Sequence, residues 1–202
     1  SGVEVGTELI WEYVDNYETP ALFVVNQLDH EKADFEKTLE QAKNRFGNRV
    51  LPMQFPVNQG PGFNAIVDAL RMTMYVFPPE GGKPDKKDIP AEHKARADEM
   101  HNALVEAAAE NDEALMEKYF EDGTLSEEDM AKGLSIGLAH HQFFPVFCAS
   151  ALDDMGSGRV MGFIHDICPS PADRPAADLE SGGSKPCDPS ARPCVFIFKT
   201  VN

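Results

Sequence analysis

The tightest constraint on the fold lies in residues 20–30, Pro-Ala-Leu-Phe-Val-Val-Asn-Gln-Leu-Asp-His. Five apolar residues, Ala21 to Val25, run without interruption. Such a run predicts a strand buried on both faces, as in a parallel sheet covered by helices on each side. Asn26, Gln27 and Asp29 follow at its C-terminal end, where open α/β sheets place their ligands. The Asn-x-x-Asp spacing suits a guanine edge. Asp29 can accept from N1–H and N2–H2, a pair that adenine does not offer, and Asn26 can bridge the purine and neighbouring loops. The plainer reading is a strand followed by a polar loop with an Asx turn.

The flanking pattern is that of an α/β unit. Residues 4–17 predict a helix with an imperfect stripe of Val5, Leu9, Trp11, Tyr13, Val14 and Tyr17. Residues 33–46 predict a second helix, with Phe35, Leu39, Ala42 and Phe46 on one face and Gly47 and Asn48 as its stop. Val50 to Val57 alternates like a strand, Asn58 to Gly62 is a turn, and 65–77 reads as one or two strands. Together these predict a small antiparallel patch, not a continuation of the parallel sheet. Residues 90–140 predict three helices, near 90–109, 111–120 and 126–140, with Asn111 or Asp112 and then Ser126 as caps.

A second buried run, Phe143 to Ala149, ends in Ser150-Ala151 and leads into an amphipathic helix bearing Val160, Phe163, Ile164 and Ile167. Trp11 and the phenylalanines near 143–147 read as core. Residues 172–193 are rich in Pro, Gly, Ser and Asp and read as a linker, and Cys194 onward reads as a closing strand.

Charge narrows the function classes. The net charge of -16 argues against binding a phosphate backbone, and acids dominate the 90–140 stretch, a solvated face on its plainest reading. No apolar run is as long as a membrane span, and no signal peptide is visible. Cys148, Cys168, Cys187 and Cys194 form no regular framework, which fits a reducing, cytoplasmic setting. With His165, three of them contain zinc-ligand types at spacings that match no standard finger, so no metal site is expected. His140-His141 reads as a helix-end or surface pair.

Taken jointly, these stretches resemble bacterial translation elongation factor G. Gly2-Val-Glu-Val-Gly-Thr-Glu-Leu-Ile-Trp11, with Tyr17 and Pro20, resembles the helix after that family's third GTPase box. Val24-Val25-Asn26-Gln27-Leu28-Asp29 resembles the fourth box, usually Asn-Lys-x-Asp. Phe63 to Met74 resembles the Phe-x-Gly-Val-Val-Asp-Leu stretch, and His101 through Tyr119 the inserted G′ subdomain. Cys148-Ala149-Ser150-Ala151 resembles the fifth box, Pro169-Ser170-Pro171 the end of the G domain, and Phe196 to Lys199 the opening strand of the domain II barrel.

The resemblance implies an α/β chain: part of a P-loop-NTPase-type three-layer G domain, an inserted α+β G′ subdomain, and the first strand of a β-barrel domain. It divides the chain into 1–46 (G domain), 47–141 (G′), 142–171 (closing part of the G domain) and 172–202 (linker and first strand). It also implies a fragment. No Gly-x-x-x-x-Gly-Lys-[Ser/Thr] phosphate loop occurs in the sequence, and the family's Asp-x-x-Gly box and switch segments would lie upstream.

By that resemblance Asn26 and Asp29 read guanine, and the backbone around Ser150 and Ala151 meets guanine O6. Gln27 replaces the family's Lys, with an expected loss of ~0.5–2 kcal/mol of stacking. Asp153 and Asp154 stand where the family has a Lys-containing loop, and two acids near a polyphosphate oppose its binding. These departures imply a divergent member with weakened nucleotide dependence. GTP or GDP with Mg2+ is the cofactor implied for the parent, and none is expected tightly bound to this fragment. No catalytic residue is expected in this chain, which is expected not to hydrolyse GTP alone. The implied role is ribosomal translocation of tRNA and mRNA in the cytoplasm. The acidic G′ helices, through Glu106, Glu110, Glu113 and Glu117, would dock the ribosomal stalk protein L7/L12. No membrane and no direct nucleic-acid contact are expected. Two alternatives stay open: a nucleotide-independent interaction module, and a sister translational GTPase such as a ribosome-protection or release factor.

Overall fold

The computed structural model describes residues 2–180, 182–193 and 195. They fall into two compact units, Ser1–Cys168 and Pro169–Asn202. In the first, α1 (Val5–Asn16) leads to β1 (Phe23–Val25), α2 (Phe35–Phe46) and β2 (Val50–Pro52). Then come β3 (Gln54–Pro56), β4 (Ala65–Asp68), β5 (Thr73–Val76) and β6 (Asp85–Lys87). Three helices follow, α3 (Ala91–Ala109), α4 (Glu113–Asp122) and α5 (Glu127–Ala139), before β7 (Phe144–Cys148) and α6 (Ser157–Asp166).

The two apolar runs of the sequence are neighbours, but the first is not buried on both faces: β1 is an edge strand, with Val24 exposed and Phe23 and Val25 half-buried. β7 lies between β1 and β2, parallel to both, with Phe23 opposite Val146 and Val50 opposite Phe144. Every residue of β7 is buried, because helices cover both faces. On one face Trp11 of α1 packs its ring 5.4 Å from Phe23, 4.4 Å from Phe46 and 4.5 Å from Phe144. On the other, Phe147 meets Phe163 of α6 at 4.9 Å within a cluster that includes Leu104 and Leu138. Alternate residues of β7 thus join different cores, as a two-sided strand requires. The chain is a three-layer α/β structure of G-domain type.

The capping residues behave as their chemistry dictates. Asp34, Asp112 and Ser126 each accept a backbone N–H at the start of α2, α4 and α5. Close approach of α3 and α5 depends on Gly133, where an added Cβ would stand 2.3 Å from Ala108 O.

Further sequence expectations change. Val50–Pro52 is not in the antiparallel patch. It joins the parallel sheet, tied by Phe144 N–H to Arg49 O (2.7 Å) and Met53 N–H to Val146 O (2.9 Å). Pro52 is tolerated there because β2 is an edge strand. Only β3, β4, β5 and β6 form the antiparallel sheet, in that order. The stripe on α1 is not a packed face: Val5, Leu9, Tyr13 and Tyr17 are exposed, since β1 is bonded on one edge only. Finally, His141 is buried, not a surface residue. Its ring Nε2–H donates to Thr19 O at 2.8 Å and its edge meets Phe144. His140 fits the helix-end reading, with Nδ1 2.9 Å from Ile136 O.

In the second unit, Ser170 caps a 3-10 turn over Pro171–Asp173, and β8 (Ala177–Asp178) pairs with β9 (Ser184–Lys185). The segment read as linker therefore carries a small ladder of its own. The strand expected over Phe196 to Lys199 lies outside the described residues. Among the described residues, no helix is long and apolar enough to cross a membrane.

Candidate functional site

The site is assembled where β1 and β7 end side by side. Ala149 N–H donates to Val25 O (3.0 Å), and Leu28 N–H donates to Ala149 O (3.2 Å), so the two loops leave the sheet in register. Asn26 Oδ1 then accepts the Ala151 N–H at 2.9 Å across 125 residues of sequence. Side chain and backbone of the two polar motifs are directly joined.

The first loop, 26–30, is tightly wound. Gln27 has φ +60, the left-handed region, and its side chain is exposed. Leu28 is buried and anchors the turn, its O accepting Gly60 N–H at 2.7 Å. Asp29 is half-buried. Its Oδ1 is the one enclosed side-chain polar atom without a hydrogen-bond partner among the described residues.

The second loop closes on itself. Ser150 and Met155 exchange both backbone hydrogen bonds at 2.9 Å. Ser150 is fully buried and its Oγ donates to Asp153 Oδ2 at 3.0 Å. Ser157 Oγ donates to Asp154 Oδ1. Both acids after Ala151 are thus engaged within their own loop. Ala151 and Leu152 are exposed at its tip.

A cleft of about 470 Å³ runs along the free edge of β1 and meets these loops at Asn26, Gln27 and His30, with Lys32 beside it. Asp29, Ser150 and Ala151 do not line it. Of the five residues singled out in the sequence at the two strand ends, the cleft is therefore lined by Asn26 and Gln27 alone.

The four glutamates lie apart from this site. Glu106 and Glu110 are exposed at the C-terminal end of α3, and Glu113 and Glu117 are exposed on α4. Glu106 accepts the Tyr119 hydroxyl at 3.1 Å, which raises the Tyr119 pKa. Nearby cations are already paired, Lys118 with Asp129 at 2.9 Å and Lys132 with Asp112 at 2.8 Å. Of the thiols, Cys148 is buried and its pKa is pushed well up by desolvation; Cys168 is half-buried and Cys187 exposed. Cys194 lies outside the described residues.

Sequence reasoning missed what holds the two loops. Gln59 Oε1 accepts Phe35 N–H at the start of α2 at 2.9 Å, and Gly60 N–H donates to Leu28 O, so the 58–62 turn ties the first loop to α2. Gly82 N–H donates to Asp154 O at 3.2 Å, so the β5–β6 connection touches the second. The signal available was the adjacent pair Gly81-Gly82 between Pro78 and Pro84.

The chain is similar to known proteins. The family model described as the elongation factor Tu GTP binding domain matches residues 1–170. Among solved structures, that of ttk003000868 from Thermus thermophilus is similar at a TM-score of 0.76, with 28% identity over 86% of this chain. The chain spans 26% of that protein's length.

Proposed function

The chain belongs to the elongation factor Tu GTP binding domain family, and on that premise we propose that it is the guanine-reading part of an elongation factor G-like translocation factor. A translational GTPase family and guanine-nucleotide binding follow from membership. The finer reading rests on one observation: Asn26 and Ala151, from two boxes far apart in sequence, are hydrogen-bonded at 2.9 Å at adjoining strand ends.

In this reading Asp29 accepts N1–H and N2–H2 of guanine, and its partnerless Oδ1 supports that assignment. Asn26 holds Ala151 so that the Ser150–Ala151 backbone can face O6. Gln27 lies over the purine with an uncharged stem. The division into 1–46, 47–141, 142–171 and 172–202 is carried into the proposal with one adjustment. Val50–Pro52 stays with the parallel sheet, and the insert runs from Gln54 to His141. GTP hydrolysis in such a factor is phosphoryl transfer to water, dominated by positioning of the phosphates. The 202 residues contain no phosphate loop, so we propose that this chain alone hydrolyses no GTP. Among the described residues no three His, Cys, Asp or Glu side chains converge on one point.

An Asp29→Asn variant tests the base assignment. Asn presents a donor where Asp presents an acceptor, so preference should pass from GDP to XDP, whose 2-oxo group accepts. Preference for GDP kept by the variant would refute the role of Asp29.

A partner reading accompanies this one. Glu106, Glu110, Glu113 and Glu117 are exposed, and none forms an ion pair among the described residues. We propose that they present an acidic face to a basic ribosomal protein, with the L7/L12 stalk as the partner and the ribosome as the setting. If guanine selectivity fails while this docking survives, the nucleotide-independent module becomes the better account.

A further inference from the structure

The antiparallel sheet grips the second loop of the site at two places. At the tip, the β5–β6 connection lies flat against residues 153–154. Gly82 N–H donates to Asp154 O, and Gly81, at φ +75, approaches so closely that a Cβ would stand 1.7 Å from Asp153 O. Only a residue without a side chain fits that backbone contact. At the foot, Arg159 of α6 donates Nε–H to Asp68 Oδ2 of β4 at 2.9 Å. Asp68 is 1% exposed, and its other donors are Gln54 Nε2 (3.1 Å) and Arg71 N–H (2.9 Å). Gln54 in turn takes Cys148 N–H on its Oε1 at 3.2 Å, two residues before Ser150. A buried charged pair is a costly way to fill space. Here it fixes direction, joining β3, β4 and α6 through one carboxylate.

We propose that the antiparallel sheet is a clamp on loop 150–155, in which Gly81 and the Asp68–Arg159 pair are positioning residues that set how tightly guanine is held. The proposal rests on the guanine reading of Asn26, Asp29, Ser150 and Ala151. The contact atoms offered by this loop are backbone atoms, and a displaced backbone cannot be corrected by choosing another rotamer. Release of Asp153 O and Asp154 O shifts the peptide that keeps Ala151 N–H on Asn26. α3 packs on the same sheet, with His101 Nδ1 2.8 Å from Ala69 O, next to Asp68. A load on the helical insert therefore reaches the clamp, and coupling between the two would be reciprocal.

The test uses the full chain, with amide exchange and amide-resolved titrations of GDP and ADP. Gly81→Ala is one variant. Asp68→Asn with Arg159→Gln is a second, which removes both charges together and leaves no unpaired buried ion. Each should speed exchange of the Ser150 and Met155 amides about tenfold relative to the Met53 amide. Each should also weaken the GDP response about tenfold while the helix amides of α4 and α5, away from the clamp, keep their exchange rates. Unchanged exchange at Ser150 and Met155 in both variants overturns the clamp. Faster exchange with an unchanged GDP response overturns its role in guanine retention. A wild-type chain that meets GDP and ADP alike overturns instead the base-site reading and the guanine half of this proposal, while exchange decides the clamp by itself.

Discussion

Gln27 occupies the most informative position of the site. Its backbone is left-handed at φ +60, so the loop turns sharply and leaves the side chain exposed beside Asn26. A Gln27→Lys substitution keeps the stem and adds a charge that can lie over a purine. It should tighten GDP binding by ~0.5–2 kcal/mol, about two- to thirtyfold, read from paired titrations. Loss of binding on this substitution would show that the stem does not lie on the base. Asn26→Ala removes the 2.9 Å bond to Ala151 N–H, which should cost ~0.5–1.5 kcal/mol of stability in a denaturant titration and expose the Ala151 amide to exchange. At this scale the placing of Asn26, Asp29, Ser150 and Ala151 at adjoining strand ends was legible because each follows an apolar run that reads as a strand. The Gly81–Asp153 contact was not, since close backbone approach between distant segments leaves no periodic trace in either.

Helix starts were readable from single side chains, as Asp34, Asp112 and Ser126 show. The strand at Val50–Pro52 was misread because Pro52 and Pro56 punctuate the alternation alike, and only pairing with β7 separates a parallel edge strand from β3. The α4–α5 pair carries a pH signature. The Lys132 ammonium hydrogen-bonded to Asp112, and Lys118 to Asp129, hold both carboxyls below their usual 3.8. A carboxyl depressed in the fold contributes stability above its unfolded value and loses that contribution as pH falls through the folded one. Thermal melts should therefore show no loss from these two groups between neutral pH and about pH 5, and a loss that grows below about pH 4. A melting temperature rising below pH 4 would contradict both pairings. Gly133→Ala tests the helix contact directly. Its Cβ would stand 2.3 Å from Ala108 O, so destabilisation of ~1–3 kcal/mol by overpacking is expected. A neutral result would mean that α3 and α5 separate freely.

Over the whole chain, two fully apolar strands meet in one sheet and bring their polar ends together, while acidic helices stand on a separate surface. In the proposed reading, that separation assigns a partner and a nucleotide to different residues. The acidic face should make encounter with a basic protein salt-dependent: raising ionic strength from about 0.05 to 0.3 M should slow association severalfold, while dissociation changes less. An association rate indifferent to salt would remove charge from that account.

The most direct test of the guanine site is an amide-resolved titration of this chain with GDP, GTP and ADP. The account predicts that GDP and GTP, at concentrations of about 1 mM, move the amides of Asn26 to Asp29 and of Ser150 and Ala151, and that ADP leaves them in place. Equal shifts with ADP, or no shift with GDP at those amides, would contradict it.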